Sequence, residues 1–202
     1  MSLSSGQGFL QEKEGVLLEV EAFRNGGAAM EWYYLMVSNG GEARFKELAE
    51  KILAERGIEA RLYFFRRKFC RRPGEFVEAP VFPGYLILDV EELTGEILSA
   101  LNGIHEFHSL LPTNERPRAI CGGALEELKV FMGHGEYFDV SRVAFLPGRR
   151  LRAVSGPMVG LEGSVYKVNK KKGRITVASS LSPEGRSFDL LYEEAEAPEG
   201  WA

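Results

Sequence analysis

The segment Leu151-Arg-Ala-Val-Ser-Gly-Pro-Met-Val-Gly-Leu-Glu-Gly-Ser-Val165 limits the possible folds more than any other part of the chain. A branched, strand-forming run enters a turn with glycines at Gly156, Gly160 and Gly163, then passes directly into a second strand. Glycine at such positions supplies φ > 0 or room for close backbone approach, where a side chain would clash. Short strands are expected over Leu151–Ser155, Gly163–Val168, Arg174–Ala178 and Phe188–Tyr192, separated by Gly-, Pro- and Lys-rich turns. Short strands packed this densely build a small β-barrel of the SH3-like kind.

Upstream the pattern is different. Trp32-Tyr-Tyr-Leu-Met-Val37 is an aromatic, branched run of strand length. Glu42 to Arg56 then repeats Phe45, Leu48, Ile52 and Leu53 at helical spacing. Further strands are expected at Leu62–Phe65, Phe82–Val90 and Ile104–Leu111, and helices at Thr94–Leu101 and Cys121–Met132. Thr94 can cap the first of these helices. The order β-α-β-β-α-β-α indicates helices flanking an antiparallel sheet, so the whole chain reads as α+β. Four parts follow: an N-terminal extension over 1–29, an α+β domain over 30–134, a linker over 135–145 and the barrel over 146–197. Within the extension, Val16–Phe23 is expected to form an edge strand or a short helix.

Charge bounds the partners. The formal net charge is −4, which excludes a bulk polyanion binder and leaves local basic patches. Residues 31–144 hold 14 Lys and Arg against 18 Asp and Glu, whereas 145–197 hold 9 against 6. Cys70 and Cys121 are the chain's two cysteines, too few for a disulfide framework and consistent with a reducing cytoplasm. No apolar run reaches the ~18 residues of a membrane span. A soluble, cytoplasmic monomer is expected.

Within 61–72 stand six cations and no acid, interleaved with aromatics. Arg66, Arg67, Lys68, Arg71 and Arg72 are candidate phosphate ligands, with aromatic rings to stack on unpaired bases; a solvated hairpin with its rings in the core is the other reading. Lys167, Lys170, Lys171, Lys172 and Arg174 form a second cationic group. Phe82, Tyr85, Ile87 and Phe107 are candidates for an apolar contact surface. Tyr85 and Ile87 share one strand face and Leu86 and Leu88 the other, so one side is core and the other needs a helix or a partner. His105, His108 and Cys121 match no structural zinc spacing, and no nucleophile–base set, P-loop or dinucleotide fingerprint occurs. Neither an enzyme nor a metal or cofactor site is expected.

The Gly156–Gly163 turn resembles a KOW motif, with Gly163 at the characteristic glycine, and Trp32-Tyr-Tyr-Leu35 with Phe82-Pro-Gly-Tyr85 resembles the N-terminal domain of the NusG family. The resemblance covers roughly residues 31–195, in the family's order. It implies a transcription elongation or antitermination factor. Its N-terminal domain grips the clamp helices of RNA polymerase through Phe82, Tyr85, Ile87 and Phe107, and its basic stretch faces non-template DNA or nascent RNA. The Asp139–Ser141 and Leu151–Gly163 segments lean towards specialised relatives similar to LoaP and RfaH. The Ser182-Pro-Glu-Gly-Arg186 turn departs from the housekeeping pattern. A ribosomal protein or termination factor is the further partner implied for the KOW module. A housekeeping elongation factor and a KOW-type ribosomal or RNA-binding protein are the alternatives.

Overall fold

A computed structural model describes residues 30–198 and 200–201; the segment Val16–Phe23 lies outside them. Its order begins β1 (Glu31–Val37), α1 (Glu42–Glu55), β2 (Ala60–Tyr63), β3 (Arg66–Arg72), β4 (Glu75–Pro80), β5 (Tyr85–Val90), α2 (Gly95–Asn102), β6 (Phe107–Leu110) and α3 (Gly122–His134). It continues with β7 (Tyr137–Phe138), β8 (Ser141–Leu146), β9 (Arg150–Ser155), β10 (Val165–Asn169), β11 (Arg174–Val177) and β12 (Phe188–Glu194). Among the described residues no helix is long and apolar enough to cross a membrane.

The first sheet is antiparallel in the order β2-β5-β1-β6. Because side chains alternate along a strand, each face of this sheet becomes a separate core. Leu35, Val37, Leu62, Leu86, Leu88 and Val90 point to one side, where Phe45, Ala49 and Leu53 of α1 and Ile97 and Leu101 of α2 cover them. The Thr94 hydroxyl accepts the Ile97 amide at 3.3 Å and starts α2 as its sequence predicts. Trp32, Tyr34, Tyr63, Tyr85 and Ile87 belong to the opposite cluster, with Phe131 of α3 and Phe188 of β12.

Two strands lie outside the expected pattern. Arg66–Arg72 and Glu75–Pro80 form an antiparallel hairpin, extended by β7 into the order β4-β3-β7. Cations on both faces of β3 hide the alternation that normally marks a strand. The expected linker 135–145 is instead mostly strand. It contains β7 and most of β8, and β8 sits inside a five-stranded sheet of order β10-β11-β12-β8-β9. β8 pairs parallel with β12, Ser141 opposite Tyr192. Parallel pairing over such a distance leaves no local turn signature in the sequence. As a result Glu31–Ala202 pack as one unit.

Candidate functional site

The site is built where the β11–β12 loop and β12 lie on the second face of the first sheet. At its centre Phe131 of α3 is fully buried. Its ring stacks on Phe82 at 5.7 Å and meets the edge of Phe188 at 5.7 Å, while Phe82 itself meets Phe188 at 5.8 Å. Phe65 and Phe138 complete the group at 5.1 and 4.8 Å from Phe131. Aromatic pairs prefer such stacked and edge-on arrangements, which add to the free energy of burying the rings.

Around this apolar centre several polar groups are matched, although Trp32 Nε1 is buried without a hydrogen-bond partner. Tyr34, directly opposite Ile87 in the β1–β5 register, donates its hydroxyl to the Leu181 carbonyl at 2.8 Å. Burial, with the Glu127 carboxylate nearby, pushes the Tyr34 phenol well above its ordinary range. Glu127 of α3 accepts from the Ser179 hydroxyl at 2.6 Å, from the Ser180 amide and hydroxyl at 2.7 and 2.6 Å, and from the Leu181 amide at 3.2 Å. Tyr85 donates to Glu184 at 3.1 Å, and Arg186 pairs with the same carboxylate. Burial is the largest cause raising the Tyr85 phenol, followed by that hydrogen bond. His134, in the last turn of α3, meets the Val159 carbonyl at 2.8 Å.

The four apolar candidates are not one patch. Phe82, Tyr85 and Ile87 lie together in this seam. Phe107 packs against the other core, its ring stacked on Phe45 at 6.0 Å, because β6 pairs Phe107 with Val37 on the helix-covered face. Its grouping with Tyr85 is therefore corrected.

The cations also separate. Arg66 pairs with Glu78 at 2.7 Å and Lys68 with Asp139 at 2.9 Å, both near the surface, while Arg71 and Arg72 are exposed beside Glu75. Lys167, Lys171 and Lys172 are exposed; Lys170 pairs with Glu194 at 3.1 Å. Arg67 and Arg174 do not lie free for phosphate. Arg67 donates to the Asp189 carbonyl of β12, and Arg174 donates to the Cys70 carbonyl of β3. Burial pulls the Arg67 guanidinium below its usual value, Asp189 opposes that, and Arg174 adds to it. In this arrangement the two arginines cross-link β3 to the C-terminal sheet, because their side chains point into the seam and not away from it.

The three turn glycines have different duties. Gly156 has φ +86°, and a Cβ there would stand 2.8 Å from the Ser141 Cα. Gly160 has φ +88°, with the space beside it filled by Val130 of α3 at 3.1 Å. Gly163 has neither a positive φ nor a neighbour within 4 Å, which corrects its expected role in the turn. Gly156→Ala is expected to cost about 1–3 kcal/mol through backbone strain, and Gly163→Ala to stay within about 0.5 kcal/mol. Urea midpoints would test the pair, and equal losses would contradict the assignment.

Sequence reasoning missed Glu127, Tyr34 and Asp189. Glu127 and Asp189 act across the seam and have no local signature, whereas Tyr34 carried a usable one, a polar handle on an aromatic strand residue.

No family model matches the sequence. The chain is 25% identical over 180 residues to the transcription termination/antitermination protein NusG of Thermus thermophilus, covering 82% of this chain and 97% of that protein. It is 24% identical over 187 residues to the protein of the same name from Treponema pallidum, covering 84% and 99%. Among solved structures, one described as domain interaction in Thermotoga maritima NusG superposes with a TM-score of 0.51 at 17% identity, covering 80% of this chain and 92% of that one. The chain is thus similar in sequence to two NusG proteins over nearly their full length, and it shares its fold with a third.

Proposed function

We propose that the chain is a specialised transcription elongation and antitermination factor that binds RNA polymerase and contacts nucleic acid. In this reading residues 30–134 are the polymerase-binding domain. Residues 146–197 are an SH3-like KOW barrel that takes a ribosomal protein or a termination factor. The protein works in the cytoplasm as a monomer, without catalysis or cofactor, holding the clamp closed and suppressing pauses.

One observation carries the reading: the aromatic face made by Tyr34, Phe82, Tyr85 and Ile87 is closed by a loop and not by a helix of its own domain alone. A pair of polymerase helices is the kind of amphipathic partner that fits such a face. Polymerase access then requires the C-terminal sheet to leave. The turn at 182–186, which departs from the housekeeping pattern, is the segment that reaches Tyr85 through Glu184, and this favours the specialised branch. Arg66, Lys68, Arg71 and Arg72, with Lys167 and Lys170–Lys172, are the cations available to nucleic acid while the sheet is docked.

Retention of RNA polymerase on the immobilised protein tests this. Tyr85→Ala is expected to lower retention about tenfold, the scale of a lost aromatic anchor. If neither the wild type nor Glu127→Ala retained polymerase, the reading would be lost.

A further inference from the structure

The turn Phe82-Pro83-Gly84-Tyr85 carries two residues of the aromatic face, and its own sequence does not satisfy all of its backbone. The Tyr85 N–H donates to the Phe82 carbonyl at 3.1 Å and closes the turn. Pro83 at the second position and Gly84, with φ +81°, at the third meet the demands of a type II turn. Pro83 has no N–H, so Gly84 supplies the turn's one central donor, which the closing bond leaves unused. Gly84 is buried, and a buried donor without an acceptor is destabilising.

The acceptor comes from α1, the helix that covers the opposite face of the sheet. Glu42, its first residue, is 2% exposed, and its carboxylate accepts the Gly84 amide at 2.8 Å. The Gly84 carbonyl in turn accepts the Val37 N–H at 2.8 Å. A Cβ on Gly84 would stand 2.8 Å from Asn39 Oδ1, so the turn is confined on that side as well. The start of α1 is itself held. Gly41 donates to the Ser38 carbonyl and Ser38 to the Glu106 carbonyl, both at 2.9 Å, and the Glu106 side chain fills the space beside Gly41. Burying a carboxylate is unfavourable; the first turn of a helix softens that penalty, but an apolar side chain would fill the space without it. We propose that Glu42 is a positioning residue for the polymerase-binding face: through the Gly84 amide it fixes the angle at which Phe82 and Tyr85 leave their turn, while touching no partner itself. The proposal rests on the polymerase reading above. It adds that the face is set from behind the sheet, by an acceptor at one reach and not by its charge.

The docked sheet touches the same two side chains, Phe82 through Phe188 and Tyr85 through Glu184. The test is therefore made on the full chain carrying Glu127→Ala, which weakens docking, with retention of RNA polymerase as the readout. Adding Glu42→Ala is expected to lower retention about tenfold, the scale of a buried donor left unpaired. Glu42→Gln keeps an acceptor oxygen at the same reach and is expected to stay within about twofold of its parent. Glu42→Asp keeps the charge but withdraws the carboxylate by about 1.5 Å, one carbon–carbon bond, and is expected to lose as much as Glu42→Ala. The Gln and Asp variants decide the matter even if the Ala variant fails to fold. Faster exchange of the Gly84 amide, with the other β5 amides unchanged, shows that the effect is local. Because Glu42 acts through the turn, its loss is expected to add little once Tyr85→Ala is present, whereas a general loss of stability would add in full. Full retention by both the Ala and Asp variants, a loss in Gln equal to that in Asp, or full additivity with Tyr85→Ala overturns this proposal and leaves polymerase binding standing. Absence of retention in every form, wild type included, overturns both.

Discussion

Replacing Phe131 with Ala is expected to cost about 3–5 kcal/mol of stability, the range for removing a buried aromatic ring from a packed core. Phe131 is fully buried, and four rings converge on it: Phe65, Phe82, Phe138 and Phe188. They come from the segment after β2, the turn before β5, β7 and β12, so no single element can move in to fill the space. Collapse is prevented and the cavity term stays in full. Urea unfolding gives the measurement, since a lower midpoint at constant m reports lost stability alone. A change in m as well would mean that the C-terminal sheet detaches before the rest unfolds. A loss below about 1 kcal/mol would show that the five rings are not one packed unit.

Glu127→Ala is the second large effect, and its sign is opposite for stability and for binding. The carboxylate accepts from two hydroxyls and two backbone amides of Ser179–Leu181. Hydrogen bonds to a charged group are each worth about 1.5–3 kcal/mol net, and the donors left behind here are partly covered. The wet edge of the site allows water to replace some of them. A net loss of about 2 kcal/mol in docking is therefore expected, on the scale of one such bond. A partner that binds only the undocked form then gains roughly thirtyfold in apparent affinity, because the competent fraction rises by that factor. Polymerase affinity measured for wild type and Glu127→Ala side by side checks this. Unchanged affinity with an unchanged Leu181 exchange rate would mean that the rings, and not the carboxylate, set the docking equilibrium.

What the sequence made legible was periodic or local. The helical recurrence of Phe45, Leu48, Ile52 and Leu53 placed α1, and the glycine-punctuated strands placed β9 to β12. Thr94 located the start of α2 to within a residue. The face rule for Tyr85 and Ile87 was also readable, since alternation requires it. Register across β6 was not. The bulge between Met36 and Val37 brings Phe107 opposite Val37, and only the paired strand reveals that. The cations show the same limit. Arg66 and Arg67 are neighbours of one type, yet one pairs with Glu78 near the surface and the other is held half-buried against the Asp189 carbonyl of β12. Composition records that a charge is present, and tertiary contact decides whether it is available.

The parallel pairing of β12 with β8 has a consequence for biosynthesis. Residues 31–134 leave the ribosome with both of their helix-covered layers able to form, but β8, which pairs with β9 on one side, must wait for Phe188–Glu194 before its parallel partner exists. At roughly 5–20 residues per second, the intervening stretch takes several seconds to translate. Throughout that interval the aromatic face and the Arg67–Phe69 edge of the nascent chain lack the cover that the β11–β12 loop and β12 supply. Each newly made molecule thus passes through a brief period in which whatever binds these surfaces competes with its own unfinished C-terminus, and the order of translation decides which arrives first.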